Sequence, residues 1–122
     1  MTQKNIDVMD IIVGKMAEGT TIADALKSVY HRRSVCIPCN ESDFNISIMD
    51  LNLSNRTTNA LLRGKINTLS EAISFCNGNK ITDIATLGRL SGIELFETIL
   101  NYCWNRMTDN EKIYFLIDTV KR

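Results

Sequence analysis

Hydrophobic residues recur at helical spacing near the start of the chain. One apolar side is formed by Val8, Ile11, Ile12 and Met16, and a second by Ile22, Ala25, Leu26 and Val29. Apolar positions three and four residues apart line one face of an α-helix. The pattern therefore predicts two N-terminal helices, over about residues 6–16 and 21–33, with Gly19 ending the first.

The rest of the sequence also has a mainly helical pattern. It predicts helices over about residues 55–64, 69–76, 92–106 and 110–121, with a short turn at 82–85 and a tight hairpin at Gly88. Residues 35–44 contain the only proline and are predicted to be extended or loop. Residues 46–53 are predicted to form a short strand or an irregular packing arm. The expected fold class is all-α.

Several predicted helices begin with a hydroxyl residue that is followed three positions later by an acid. The pairs are Thr21 and Asp24, Thr68 and Glu71, Ser91 and Glu94, and Thr108 and Glu111. In such a pair the hydroxyl and the carboxylate satisfy backbone N–H groups that have no partner within the first turn. Ser54 and Thr82 are further candidate caps.

The sequence has no proline-rich or serine-rich linker. We therefore predict a helical N-terminal extension with its connecting loop over residues 1–44, and a compact module that ends in a C-terminal helix over residues 45–122. The two N-terminal helices need a partner for their apolar faces, so they are expected to pack on the module. Self-association is an alternative use of the same faces.

Composition is typical of a globular protein, with 122 residues of which 44% are hydrophobic and 23% charged. A protein of this size folds without a metal or a disulfide. It has no apolar run of the roughly 20 residues that a membrane span requires. Asp7 and Asp10 interrupt the start, which is therefore unlike a signal peptide. We expect a cytoplasmic protein with no membrane contact, and reduced cysteines.

The four cysteines do not have the spacing of a metal site. Cys36 and Cys39 form a lone Cys-x-x-Cys, and Cys76 and Cys103 have no nearby cysteine partner. A structural zinc site needs four ligands, and His31 alone does not complete the set. A thioredoxin-type site would need a surrounding βαβ unit. We interpret the cysteines as structural thiols and expect no metal or cofactor.

No enzyme constellation is present in the sequence. A single histidine leaves no Ser-His-Asp arrangement to test, and no glycine-rich phosphate loop precedes a predicted helix. The protein is therefore not expected to be an enzyme.

Charge is balanced overall and uneven locally. Fourteen basic and fourteen acidic residues give a net charge of zero. The segment between Ser54 and Thr68 holds Arg56, Arg63 and Lys65 and no acid. This local basic patch fits a nucleic-acid contact, and it fits a solvated helix face equally well.

The same segment has a distinct local pattern. Leu51 and Leu53 are apolar anchors before the Ser54 cap, and Arg56 and Asn59 are three residues apart, so they share one helix face. Further on, residues 86–91 form a glycine-containing turn that opens onto a helix. The free amides of a helix start form an anion site that suits a phosphate.

Three motifs in order carry a resemblance to a known family. They are Leu51-x-Leu-Ser-x-Arg-x-x-Asn-x-Leu61, Ile66-x-Thr-Leu-x-x-Ala-Ile73 and Leu87-Gly-x-x-Ser91. This order and spacing resemble the C-terminal domain of the bacterial RNA polymerase alpha subunit, over about residues 48–100. The resemblance implies a compact helix-hairpin-helix module that binds DNA.

The resemblance also implies roles for individual residues. The arginine of the Ser-x-Arg motif, here Arg56, would enter the minor groove of A·T-rich DNA, where a narrow groove concentrates negative potential. Asn59, Gly88 and Ser91 would contact the sugar-phosphate backbone.

At two positions the sequence departs from the family pattern. Leu62 and Leu90 stand where the family usually has lysine, and each lost phosphate contact weakens salt-dependent binding. Arg63 and Arg89 lie one residue away and partly replace them.

Two functional hypotheses follow. The sequence opens on its own methionine with no polymerase assembly domain ahead of it, so we expect a free-standing transcription-associated protein that binds DNA and contacts RNA polymerase or a transcription factor. The alternative is a protein-interaction module that kept the fold and lost DNA binding, and that contacts RNA polymerase, a sigma factor or a second copy of itself as a homodimer. A positive face bearing Arg56, Arg63, Lys65 and Arg89 favours DNA. An exposed apolar patch of Leu62 and Leu90 favours a protein partner.

Overall fold

The regular structure of the protein is helical throughout the residues that the computed structural model describes, which are 2–26, 36–77 and 89–121. The helices are α1 (Gln3–Ala17), α2 (Ile22–Ala25), α3 (Asn55–Arg63), α4 (Leu69–Cys76), α5 (Arg89–Asn105) and α6 (Asp109–Lys121). Short 3-10 turns form at Glu41–Asp43 and Ile48–Asp50. The predicted all-α class is confirmed. No helix in the described ranges is long and apolar enough to cross a membrane.

Four of the predicted caps form. The side-chain oxygens of Thr21, Ser54, Thr68 and Thr108 each accept a hydrogen bond from the backbone N–H three residues later, at 3.2–3.3 Å. At Thr68 and Thr108 the backbone N–H of the cap residue donates in turn to the carboxylate of the glutamate three residues later. These local bonds explain why α4 begins where the sequence predicts.

Two predicted helix starts were misplaced. Helix α1 begins before the predicted residue 6, because Thr2 provides an earlier cap by accepting a bond from the N–H of Asn5. Helix α5 begins at Arg89 and not near Gly92, so Ser91 lies inside the first turn. The turn at Thr82, the hairpin at Gly88 and the predicted continuation of the second helix to residue 33 lie outside the described residues.

Helix α5 is the centre of the packing, and the N-terminal helices are part of the same core. It contacts α2, α3 and α4, while α1 packs against α2 and α6. The fully buried side chains include Ile12, Ile22, Leu26, Phe96, Ile99 and Leu100. Asn101 on α5 also accepts a hydrogen bond from the backbone N–H of Ala23 at 3.1 Å. The N-terminal helices therefore pack on the module, as their apolar faces predict.

The segment before α3 is the irregular packing arm, not a strand. It makes one isolated bridge, between Ser47 and Thr68. The backbone N–H of Leu69 donates to the carbonyl of Ile46 at 2.8 Å. These bonds hold the arm along the start of α4.

Candidate nucleic-acid interface

Helix α3 is fixed by its cap and by its inner face. Ser54 is extended, with φ −63° and ψ 156°, so its hydroxyl can turn back onto the N–H of Thr57. Thr57 and Leu61 are fully buried, and their four-residue spacing marks the side of the helix that packs on the core. The other side of α3 remains available to solvent.

The outer face of α3 bears the predicted basic residues. Arg56, Asn59 and Arg63 are all exposed, and their spacing of three and four residues places them in one stripe. Among the described residues, no hydrogen bond or ion pair engages the side chain of Arg56 or Arg63. The two guanidinium groups are therefore available to a ligand.

Lys65 extends this basic stripe beyond the end of α3. Its φ is +63°, in the left-handed region, and it follows Gly64 where the backbone reverses. The backbone N–H of Ile66 donates to the carbonyl of Leu61 at 2.9 Å, which closes the turn. Lys65 is exposed there.

A single carboxylate joins the start of α3 to the first turns of α5. Glu94 on α5 accepts the backbone N–H of Ser54 at one oxygen. Its other oxygen lies 2.9 Å from the Ser54 hydroxyl and 3.2 Å from the Thr57 hydroxyl. Hydrogen bonds to a charged acceptor are about twice as strong as those between neutral groups. Glu94 thus fixes the basic stripe relative to the N-terminal end of α5.

One family model matches the part of the sequence that contains the three motifs, the basic stripe on α3 and the contact between α3 and α5. Residues 38–101 match the family model for the C-terminal domain of the bacterial RNA polymerase alpha subunit. The protein belongs to this family. No curated protein and no solved structure shows a significant match. The family is one of DNA-binding, transcription-associated modules and not one of enzymes.

The alpha C-terminal-domain region is larger than the motifs suggested. It begins at residue 38, ten residues before the predicted start of the resemblance, and covers just over half of the sequence. It thus includes the packing arm, α3, α4 and most of α5, while α1, α2 and α6 lie outside it.

Sequence reasoning assigned Glu94 to the wrong helix. It paired Glu94 with Ser91 as a cap, and the carboxylate instead caps α3 across the core. The sequence does indicate that the Ser54 cap lacks an acid of its own, because the residue three positions later is Thr57. A cap that lacks its own acid can take one from elsewhere in the fold.

The remaining predicted site residues lie near the start of α5. Arg89 is the first residue of the helix, and its side chain lies outside the described part of the protein, as does Gly88. Ser91 is only 6% exposed, so a phosphate bound here would meet backbone N–H groups of the first turn more readily than the hydroxyl.

Of the two leucines that replace lysine, one is described. Leu62 is 37% exposed on α3, whereas the side chain of Leu90 lies outside the described part. Leu62 therefore offers a small apolar surface beside Asn59, at a position where the family usually has a cation.

The described part of the interface does not have the geometry of a metal-binding cluster. Within the described ranges, no group of three or more histidine, cysteine or acidic side chains is arranged to hold an ion. Cys36 and Cys39 are free, half-buried thiols in the loop that precedes the arm.

Replacing Glu94 should weaken the fold at this junction. We expect Glu94→Ala to lower the free energy of unfolding by about 2 kcal/mol, because hydrogen bonds to a charged acceptor contribute about 1.5–3 kcal/mol. Urea denaturation followed by circular dichroism measures the change. Glu97→Ala, one turn further along α5, is the matched control and should change stability by less than about 0.5 kcal/mol. Equal losses in the two variants would contradict the bridging role of Glu94.

Proposed function

We propose that the protein is a small transcription-associated protein that binds A·T-rich DNA across α3 and the start of α5. In this proposal Arg56 enters the minor groove. The sugar-phosphate backbone is contacted by Asn59, Arg63, Lys65, Gly88, Arg89 and Ser91.

The exposed basic stripe on α3 is the observation that carries the proposal. Arg56 and Arg63 lie on one helix face, with no acid between Ser54 and Thr68 to neutralise them. The net charge of the protein is zero, so this local surface, and not the whole molecule, would attract phosphate. A guanidinium group suits the A·T minor groove because the narrow groove has an enhanced negative potential.

The start of α5 supports the second part of the proposal. A helix N-terminus presents backbone N–H groups that lack intrahelical partners and carries a partial positive charge. Helix α5 is 17 residues long, and Glu94 in its second turn bonds directly to the cap of α3. This bond brings the start of α3 close to the first turns of α5, which supports a proposed surface that uses both.

A protein-binding role is the second candidate, and exposed apolar side chains favour it. Leu62 borders the basic stripe, and Ile113 and Tyr114 are 52% and 73% exposed on α6. Tyrosine is a frequent anchor at protein interfaces. In this role the module would contact RNA polymerase, a sigma factor, another transcription factor or a second copy of itself.

Salt-dependent binding to two duplexes separates these candidates. We expect tighter binding to an A·T-rich duplex than to a G·C-rich duplex of equal length. The logarithm of the association constant should fall against the logarithm of salt concentration with a slope of about −3 to −4, as expected for four basic contacts. Fluorescence anisotropy between 50 and 200 mM salt measures both quantities (about the range over which such contacts are lost). Absence of binding to either duplex at the lowest salt would favour the protein-interaction role.

A further inference from the structure

The two ends of the family region meet at a small cavity. Its volume is about 60 Å³, and its wall includes Pro38, Cys39 and Asp43 from the loop that precedes the arm and Cys103, Arg106 and Met107 from the end of α5 and the turn after it. Cys39 and Cys103 thus bracket almost the whole of the matched region, residues 38–101. A bond between them would close that region into a ring.

An ion pair already holds these ends together. The Nε–H of Arg106 donates to a carboxylate oxygen of Asp43, whose side chain is buried. That hydrogen bond, together with the negative charge of Asp43, raises the pKa of Arg106. A buried carboxylate needs such a partner, so the loop before the arm and the turn after α5 are kept in contact beside the two cysteines.

Cys39 and Cys103 both line this cavity, and the Cys39 thiol donates a hydrogen bond to the backbone carbonyl of Asn40 at 3.5 Å. Cys103 is almost fully buried, and burial, with a further contribution from Cys39, raises its pKa to about 12. Burial and the nearby Asp43 raise the pKa of Cys39, while the neighbouring Cys103 and the charge of Arg106 oppose the rise. Cys39 is half-buried and is therefore the thiol that an oxidant can reach first.

We propose that Cys39 and Cys103 are an oxidative modification site at which a disulfide closes the family region on itself. A low-molecular-weight disulfide such as glutathione disulfide is the oxidant. The Cys39 thiolate attacks one of its sulfurs, and a glutathione thiolate leaves. The Cys103 thiolate then attacks the Cys39 sulfur of the mixed disulfide and expels the second glutathione. The protein loses two electrons and two protons, and one glutathione disulfide becomes two glutathione thiols.

The neighbouring thiols are poorer partners for Cys39. Residues 36–40 form neither a helix nor a turn, and Ile37 is held in place by two hydrogen bonds with the Asn77 side chain, at 2.7 and 3.1 Å. Residues three apart are separated by up to roughly 10 Å when the backbone is extended. A disulfide requires Cα atoms within about 7 Å, which disfavours a Cys36–Cys39 bond. Cys76 is buried and does not line the cavity.

Raised thiol pKa values make the reaction slow at neutral pH. The thiolate is the nucleophile in both steps, and its fraction grows about tenfold per pH unit below the pKa. Both pKa values lie above the ordinary value of 9.0. The rate of bond formation should therefore rise steeply between neutral pH and pH 9.

Treatment of the full-length protein with glutathione disulfide at alkaline pH tests the proposal. We expect intact mass spectrometry to show the loss of two hydrogen atoms and peptide mapping to recover Cys39 linked to Cys103. The thermal midpoint should rise by on the order of 10 °C, because the bond closes a long loop in the unfolded polypeptide. Dithiothreitol should reverse both changes.

Four variants make the outcome decisive. Cys36→Ser and Cys76→Ala should keep the Cys39–Cys103 bond and the rise in midpoint, whereas Cys39→Ser and Cys103→Ala should lose both. Cys39 is only half-buried, so Cys39→Ser is expected to fold. It can therefore be compared with the unsubstituted protein even if Cys103→Ala fails to fold. Any one of three results would overturn the proposal: a mapped Cys36–Cys39 bond, glutathione adducts without an internal bond, or an internal bond that leaves the midpoint unchanged.

Discussion

Removal of residues 1–35 is expected to leave a protein that does not fold at 25 °C. The deletion removes Ile12, Ile22 and Leu26, which are buried to 98% or more. Full burial of such side chains contributes about 1.5–3 kcal/mol each. Their combined loss, on the order of 5 kcal/mol or more, is comparable with the whole stability of a small domain. Far-UV circular dichroism and thermal denaturation of residues 36–122 measure the result.

Two adjacent residues of α1 provide a matched control. Ile12 is fully buried and Ile11 is 53% exposed. Ile12→Ala should cost about 2–5 kcal/mol, as large-to-small core substitutions do. Ile11→Ala should change stability by less than about 0.5 kcal/mol. If residues 36–122 proved as stable as the full-length protein, the N-terminal helices would not be part of the core.

Arg56→Ala is expected to weaken DNA binding by about 1–3 kcal/mol, or roughly 5-fold to 150-fold. The loss should be greater on an A·T-rich duplex than on a G·C-rich one, because the groove potential that attracts arginine is strongest there. Lys4→Ala is the control, because it removes the same charge from α1, which packs against α2 and α6. Anisotropy titrations at fixed salt measure both variants. Equal losses for the two would show that only total charge matters.

Leu62→Lys should act in the opposite direction. It places a cation beside Asn59 on the outer part of α3 and so adds one phosphate contact. The slope of the logarithm of the association constant against the logarithm of salt concentration should then become steeper by about 0.9. If Arg56→Ala left DNA binding unchanged and Leu62→Lys abolished binding of a protein partner, the surface would be a protein interface.

Local signals explain why much of the fold could be predicted. Helix α4 was predicted at its observed bounds because Thr68 and Glu71 cap it within four residues. The shared face of Arg56, Asn59 and Arg63 was equally predictable, since helix periodicity alone sets it.

The features that sequence reasoning missed depend on contacts between distant segments. Glu94 bonds to Ser54, forty residues away, and no spacing rule links them. Cys39 and Cys103 line one cavity only because the loop before the arm packs against the end of α5. The burial of Ser91 likewise depends on what packs over the first turn of α5 and not on its own neighbours.

The bridge from Glu94 to the cap of α3 also bears on how a duplex would be selected. Three groups at the start of α3, two on the cap residue Ser54 and one on Thr57, share that one carboxylate, so the basic stripe and the start of α5 keep a fixed separation. A rigid pair of contacts cannot adapt to the width of a groove, so the nucleic acid must adapt instead. The energy of bending or narrowing a duplex depends on its base sequence, including base pairs that the protein never touches. The choice between DNA sequences would then depend on the stiffness of the duplex as much as on contacts with its base edges.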